Sequence, residues 1–155
     1  MKKVIWNFGI CFAVLCGLAV AANAQTITGS IAGGSVTRGK AARATVVLSI
    51  PGGLHVNSSR PASEYSVATV VRASSSGAKI GAVSYPRGKN RKFSFSEVPI
   101  NVYEGRTSFS FNVTVPASYK GKSISVRVAV KYQACTDEVC YQPKTKEITL
   151  TAKVI

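Results

Sequence analysis

The chain has 155 residues, of which 20 are Lys or Arg and only 6 are Asp or Glu, giving a formal charge of +14. That length suits one domain with a real core, and the scarcity of acids excludes most chemistry that needs paired carboxylates. A single histidine and four cysteines exclude a histidine-built metal centre, and no P-loop, dinucleotide fingerprint or G-x-S-x-G is present.

The N-terminus sets the compartment. Lys2 and Lys3 precede an apolar run from Val4 to Ala22, and Ala22-Asn23-Ala24 offers a small-x-small cleavage site before Gln25. This is the pattern of a secretory signal peptide, so residues 1–24 are expected to be removed and Gln25 to Ile155 to form a single exported domain. Cys11 and Cys16 follow Ile10 and Leu15, where a lipobox would need a small residue, and they are expected to be lost with the leader. No later segment is long and apolar enough to span a bilayer. The mature charge remains strongly basic after loss of Lys2 and Lys3. The charges are scattered, and the densest run, Arg87-Gly88-Lys89-Asn90-Arg91-Lys92, carries no interleaved aromatics. It is read as a charged turn, and nucleic acid is not an expected partner.

The mature sequence reads as strand throughout. Gln25 to Lys40, rich in Gly, Ser and Thr, is an edge strand or a loose arm. Ala44 to Ile50 is rich in β-branched residues and is broken by Pro51-Gly52-Gly53. Tyr65 to Ala73 and Lys79 to Ser84 are shorter strand candidates, each closed by turn residues. From Thr107 to Val115, Phe109, Phe111, Val113 and Val115 share one face, opposite Ser108, Ser110, Asn112 and Thr114. From Ser123 to Ala134, Ile124, Val126, Val128, Val130 and Tyr132 share a face. Glu147 to Val154 repeats the pattern with Ile148, Leu150, Ala152 and Val154. Sustained period-two alternation without a 3.6-residue period predicts an all-β antiparallel sandwich. Its predicted core holds Val46 or Val47, Leu48, Phe109, Phe111, Val126, Val128, Val130, Ile148 and Leu150.

The chemistry concentrates in Tyr132-Gln133-Ala134-Cys135-Thr136-Asp137-Glu138-Val139-Cys140-Tyr141-Gln142-Pro143. Cys135 and Cys140 are the only cysteines of the mature chain, and two thiols on facing arms of a hairpin can form a disulfide or pass it to a partner. An even count in an exported chain favours the oxidised pair. Two readings stand. A staple closing so small a loop contributes roughly 2 kcal/mol in the chain-entropy model. A shuttle needs an accessible sulfur and shielding from wrong partners. Asp137 and Glu138 disfavour thiolates, whereas Lys131, Lys144 and Lys146 favour them. The spacing is not that of a C-x-x-C motif or a zinc knuckle, so no metal is expected. His55 packs or bonds at a strand edge, or shuttles protons near the thiols.

The cysteine motif with its flanking aromatics and proline, Gly53-Leu54-His55-Val56-Asn57-Ser58 upstream, and Val102-Tyr103-Glu104-Gly105 together resemble the N-terminal periplasmic domain of the thiol:disulfide interchange protein DsbD, over about Thr45 to Thr151. The resemblance implies an immunoglobulin-like sandwich acting as a periplasmic thiol:disulfide oxidoreductase without a cofactor. It assigns Cys140 to the mixed disulfide with a partner and Cys135 to its resolution. It also implies a cap loop near Phe93 to Ile100, with Phe95 as the shielding ring, Phe93 second and Glu97 beside them. It implies an early strand at Gly53 to Ser58 that comes close to the cysteines, and His55, Asn57, Tyr132, Asp137, Glu138 and Tyr141 fall near the pair. The implied partners are thioredoxin-fold periplasmic proteins and a separate membrane electron donor, the chain itself acting as a monomer. The rival function is a binding or structural module with an inert disulfide.

Overall fold

The computed structural model describes residues 25–62 and 66–155; the leader expected at 1–24 and the start of the strand expected at Tyr65 lie outside the described residues. Among the described residues twelve strands run in chain order: β1 (Thr26–Ile31), β2 (Ser35–Val36), β3 (Ala41–Ser49), β4 (His55–Asn57), β5 (Val70–Ser74), β6 (Lys79–Ile80), β7 (Lys89–Arg91), β8 (Ile100–Tyr103), β9 (Arg106–Thr114), β10 (Ser123–Tyr132), β11 (Ala134–Cys135) and β12 (Lys144–Val154). Among the described residues the only helical piece is a three-residue 3₁₀ turn at Ala32–Gly34, and no helix is long and apolar enough to cross a membrane.

Two four-stranded sheets form the body. One has the order β1-β3-β9-β6 and the other β2-β12-β10-β5. Pairing is antiparallel except where β2 runs parallel to β12 at Ser35–Lys153 and Val36–Val154. The alternation seen in the sequence explains why both sheets are one-faced. In the β3–β9 register Ala44 opposes Phe111 and Val46 opposes Phe109, so their side chains share the inner face. In β10–β12, Val126 opposes Leu150 and Ile124 opposes Ala152. These residues merge into one buried core with Tyr132, Val128 and Val130. Val46 is fully buried and Val47 is not; Ile148 is half-buried against the core. A Cβ on Gly29 would meet the carbonyl oxygen of Thr45 on the paired strand β3 at 2.6 Å and Leu150 of the opposite sheet at 3.1 Å, so only glycine fits where β1 lies against both.

A third sheet, β11-β4-β8-β7, turns the corner at one end of the sandwich. It is made from strands that leave the body. β3 continues into β4 through Pro51–Leu54, β8 continues into β9 through Glu104–Gly105, and β10 continues into β11 through Gln133. Gly53 (φ 77°) and Gly105 (φ 61°) take the left-handed conformations these bends require. The Ile50 N–H donates to the Gly105 carbonyl at 2.8 Å, tying the two bends together. Strands that change sheet at bends are the usual way a sandwich makes a corner. The molecule is thus an all-β, immunoglobulin-like antiparallel sandwich.

Two local expectations are corrected and one open alternative is decided. The basic run read as a turn contains β7, an edge strand whose three residues are all exposed and whose side chains gave no apolar alternation. The strand expected from Lys79 to Ser84 is regular only at Lys79–Ile80, with Ser84 making an isolated bridge to Ser110. Of the two readings of the Gly, Ser and Thr rich start, the edge strand is the one found: β1 lies at the edge of its sheet along β3, from Thr26–Ser49 to Ile31–Ala44.

Candidate functional site: the cysteine hairpin and the ring stack

The hairpin that carries the cysteines extends from the end of the β10–β12 ladder, which runs unbroken from Ser123–Lys153 to Tyr132–Lys144. Cys135 and Cys140 face each other as an antiparallel pair. The Thr136 N–H donates to the Val139 carbonyl at 2.8 Å and the Tyr141 N–H to the Ala134 carbonyl at 2.9 Å. The cysteines are therefore a non-hydrogen-bonded pair, the position where facing side chains come closest. Their sulfurs are joined, with Cα atoms 4.0 Å apart. The Thr136 hydroxyl accepts from the N–H groups of Glu138 (3.2 Å) and Val139 (3.0 Å), which fixes the tip and leaves Asp137 and Glu138 in solvent. The Gln133 side-chain amide donates to the Tyr141 carbonyl at 3.1 Å and braces the returning arm.

The two sulfurs have different surroundings. Cys135 is fully buried, while Cys140 is exposed. Cys135 lies on β11 and pairs with His55 of β4, as Ala134 pairs with Val56. Cys140 faces outward onto a cavity of about 350 Å³ that His55, Asn57, Phe95, Glu97 and Gln133 also line.

On the far side of that cavity, the segment between β7 and β8 brings in its aromatics. Phe93 is buried and stacks on His55, with ring centroids 4.3 Å apart and planes at 19°. Phe95 stacks in turn on Phe93 at 5.2 Å and 9° while remaining 48% exposed. Arg91 lies over the Phe93 ring at 5.9 Å and pairs with Glu104, as Lys89 does more loosely at 3.9 Å. The result is a ladder of three rings from the residue opposite Cys135 to the rim beside Cys140. With Ile100 and Val102, Phe93 forms a small apolar cluster separate from the main core.

His55 is only 3% exposed. Burial holds its pKa below the usual histidine value; Asp137 and Glu104 pull it back up, and Arg91 lowers it further. The ring is therefore neutral at neutral pH. Asn57, also buried, donates from its side-chain amide to the Val67 carbonyl at 3.2 Å, and its own carbonyl accepts from the Thr69 hydroxyl.

The structure brings together Cys135, Cys140, His55, Asn57, Phe93, Phe95 and Glu97, with Asp137, Glu138 and Tyr141 on the same hairpin. Tyr132 stands apart: it belongs to the sandwich core behind the hairpin, its hydroxyl 3.4 Å from the Gln25 side-chain oxygen, and burial raises its pKa. Gln133, Val98 and Val139 were not singled out from sequence. An apolar Val139 at a turn tip that should hold polar residues was the available signal; Gln133 gave none. No group of three or more His, Cys, Asp or Glu able to hold a metal occurs among the described residues.

A family model for the thiol:disulfide interchange protein DsbD, N-terminal, matches residues 28–152. Among solved structures, the chain is similar to the DsbD N-terminal domain of Neisseria meningitidis in its reduced form, at 17% identity and a TM-score of 0.48, covering 82% of this chain and 89% of that one. It is also similar to the N-terminal periplasmic domain of ScsB from Proteus mirabilis, at 12% identity and a TM-score of 0.51, covering 81% of this chain and 44% of that one. The chain thus spans less than half of that ScsB chain, and the likeness concerns the fold. No curated protein matches the chain. A family model that spans the sandwich, the cysteine hairpin and the ring segment settles the affiliation: this protein belongs to the family of the thiol:disulfide interchange protein DsbD, N-terminal domain.

Proposed function

We propose that this domain passes electrons between thioredoxin-fold proteins of the periplasm through Cys135 and Cys140, in an exported chain cleaved near Ala24. The observation that carries the reading is the asymmetry of the pair: Cys140 is exposed at a cavity and Cys135 is fully buried. Thiol–disulfide exchange needs a sulfur that a partner can reach in line and a second one that is held back until the mixed disulfide has formed. Cys140 is the sulfur that enters the mixed disulfide, and Cys135 resolves it. Phe95, with Phe93 beneath it, is the cap that limits access to Cys140.

The surface around the pair supports docking. Among the described residues, five large hydrophobics are exposed, and four of them, Phe95, Val98, Val139 and Tyr141, lie on the cysteine hairpin or the segment across the cavity. Apolar groups concentrated around a reactive atom mark an interaction surface. The plainer reading, an inert staple, has less to explain. The hairpin is already closed by the backbone bonds between Thr136 and Val139 and between Tyr141 and Ala134. A staple there adds little order.

Trapping tests the reading. Each single-cysteine variant is incubated with an oxidised thioredoxin-fold protein and examined without reductant. Cys135→Ala accumulates a mixed disulfide through Cys140, and Cys140→Ala yields none. Equal failure of both variants, with wild-type exchange no faster than that of an unrelated disulfide protein, would refute the proposal.

A further inference from the structure

Resolution of a mixed disulfide requires the second cysteine as a thiolate, because the thiol is a poor nucleophile. Cys140 is exposed and can lose its proton to water. Cys135 is fully buried, and burial disfavours the thiolate. A buried resolving thiol therefore needs a proton acceptor within its own shell.

The described residues offer few. Asp137 and Glu138 point into solvent at the hairpin tip, and Glu97 is exposed on the cavity rim. Tyr132 lies in the core with its hydroxyl toward Gln25. His55 is different. It is the cross-strand neighbour of Cys135, so the two side chains leave the sheet on the same face with Cβ atoms roughly 5 Å apart. It lines the cavity onto which Cys140 opens. Its ring is fixed by the stack on Phe93. All three residues of β4 are buried.

We propose that His55 accepts the proton of Cys135 in the step that resolves the mixed disulfide, a role that rests on the exchange reading above. The Cys135 thiol gives its proton to the neutral imidazole. The resulting thiolate attacks the Cys140 sulfur, the Cys135–Cys140 bond forms, and the bond from Cys140 to the partner sulfur breaks. The partner leaves as a thiolate with the electron pair, and the imidazolium returns the proton to it or to water. The charged groups around the ring are Asp137 from the hairpin tip, Glu104 from the bend after β8 and Arg91 from β7, with Glu97 on the shared cavity. Asp137 and Glu104 stabilise the transient imidazolium, and Arg91 opposes it.

Reduced protein reacting with dithiobis(nitrobenzoate) separates the steps. Attack by Cys140 releases one nitrothiobenzoate anion, and resolution by Cys135 releases the second. His55→Phe keeps an aromatic ring against Phe93, and His55→Gln keeps a polar group without basicity. Both variants are expected to slow the second release roughly a hundredfold relative to the first at neutral pH, in the range of a lost general base. The deficit shrinks as pH rises and hydroxide takes over. In the wild type the second release falls as the pH drops through the lowered pKa of His55. A second release that is unchanged in both variants, or slowed only in step with the first, would overturn the assignment. If instead the wild-type protein reacts no faster at Cys140 than a protein with a structural disulfide, the exchange reading fails and this role falls with it.

Discussion

The sandwich body and the cysteine end obey opposite rules. In the body, apolar side chains point inward along β3, β9, β10 and β12, and serine, threonine and lysine point out. At the cysteine end a histidine is buried, while Phe95, Val98, Val139 and Tyr141 are exposed. Yet among the described residues no buried side-chain polar atom lacks a hydrogen-bond partner, so the end is not simply badly packed. The body is explained by burial alone. The corner sheet spends its positions on holding one sulfur in and leaving the other out. Local departures from packing rules of this kind are expected where a surface has work to do beyond folding.

Substitutions should separate the two regions. The largest effect belongs to Cys140→Ala, which is expected to abolish mixed-disulfide formation while leaving the body folded; any residual trapping through Cys135 would break the division of roles. Phe109→Ala should do the reverse. Phe109 is fully buried between Tyr85 and Tyr103, at 5.6 and 5.8 Å in edge-on contact. Its loss should cost about 3–5 kcal/mol in denaturant unfolding, and the exchange rate of the folded fraction should not change. Phe95→Ala is expected to cost only about 1 kcal/mol, since the ring is half-exposed, and to speed attack of a small thiol on the disulfide. An unchanged reduction rate would remove Phe95 from the cap.

A smaller effect concerns pH. The folded-state pKa of His55 is depressed by burial, so the folded protein binds fewer protons there than the unfolded chain. The stability tied to the neutral ring is complete above the unfolded value of 6.5 and is lost as pH falls from there through the lowered folded value. His55→Phe should flatten that part of the stability–pH profile. The smallest effect is expected from Glu104→Gln, which removes an exposed pairing with Arg91 and Lys89 and should change stability by about 1 kcal/mol or less.

What the sequence disclosed follows the same division. β9 was legible to within one residue at each end, because Phe109, Phe111 and Val113 alternate with polar neighbours over a long run. β10 was legible too, although the expected run to Ala134 turned out to cross a bend at Gln133 into a second sheet. β4 was not legible from alternation, since three buried residues in a row carry none; the family resemblance alone marked it as a strand close to the cysteines. β7 was hidden for the opposite reason, being charged and exposed throughout. The cysteine pair stood out by composition. The His55–Phe93–Phe95 ladder did not, because stacking between residues far apart in the chain leaves no periodic trace; its ingredients were visible and their contact was not.

The central claim is that the Cys135–Cys140 bond is exchanged rather than merely held. Its reduction potential, measured by equilibration with glutathione buffers, tests this most directly. The account predicts a value above about −300 mV, in the range of thioredoxin-like partners. A value well below about −300 mV, where structural disulfides of secreted proteins lie, would contradict it.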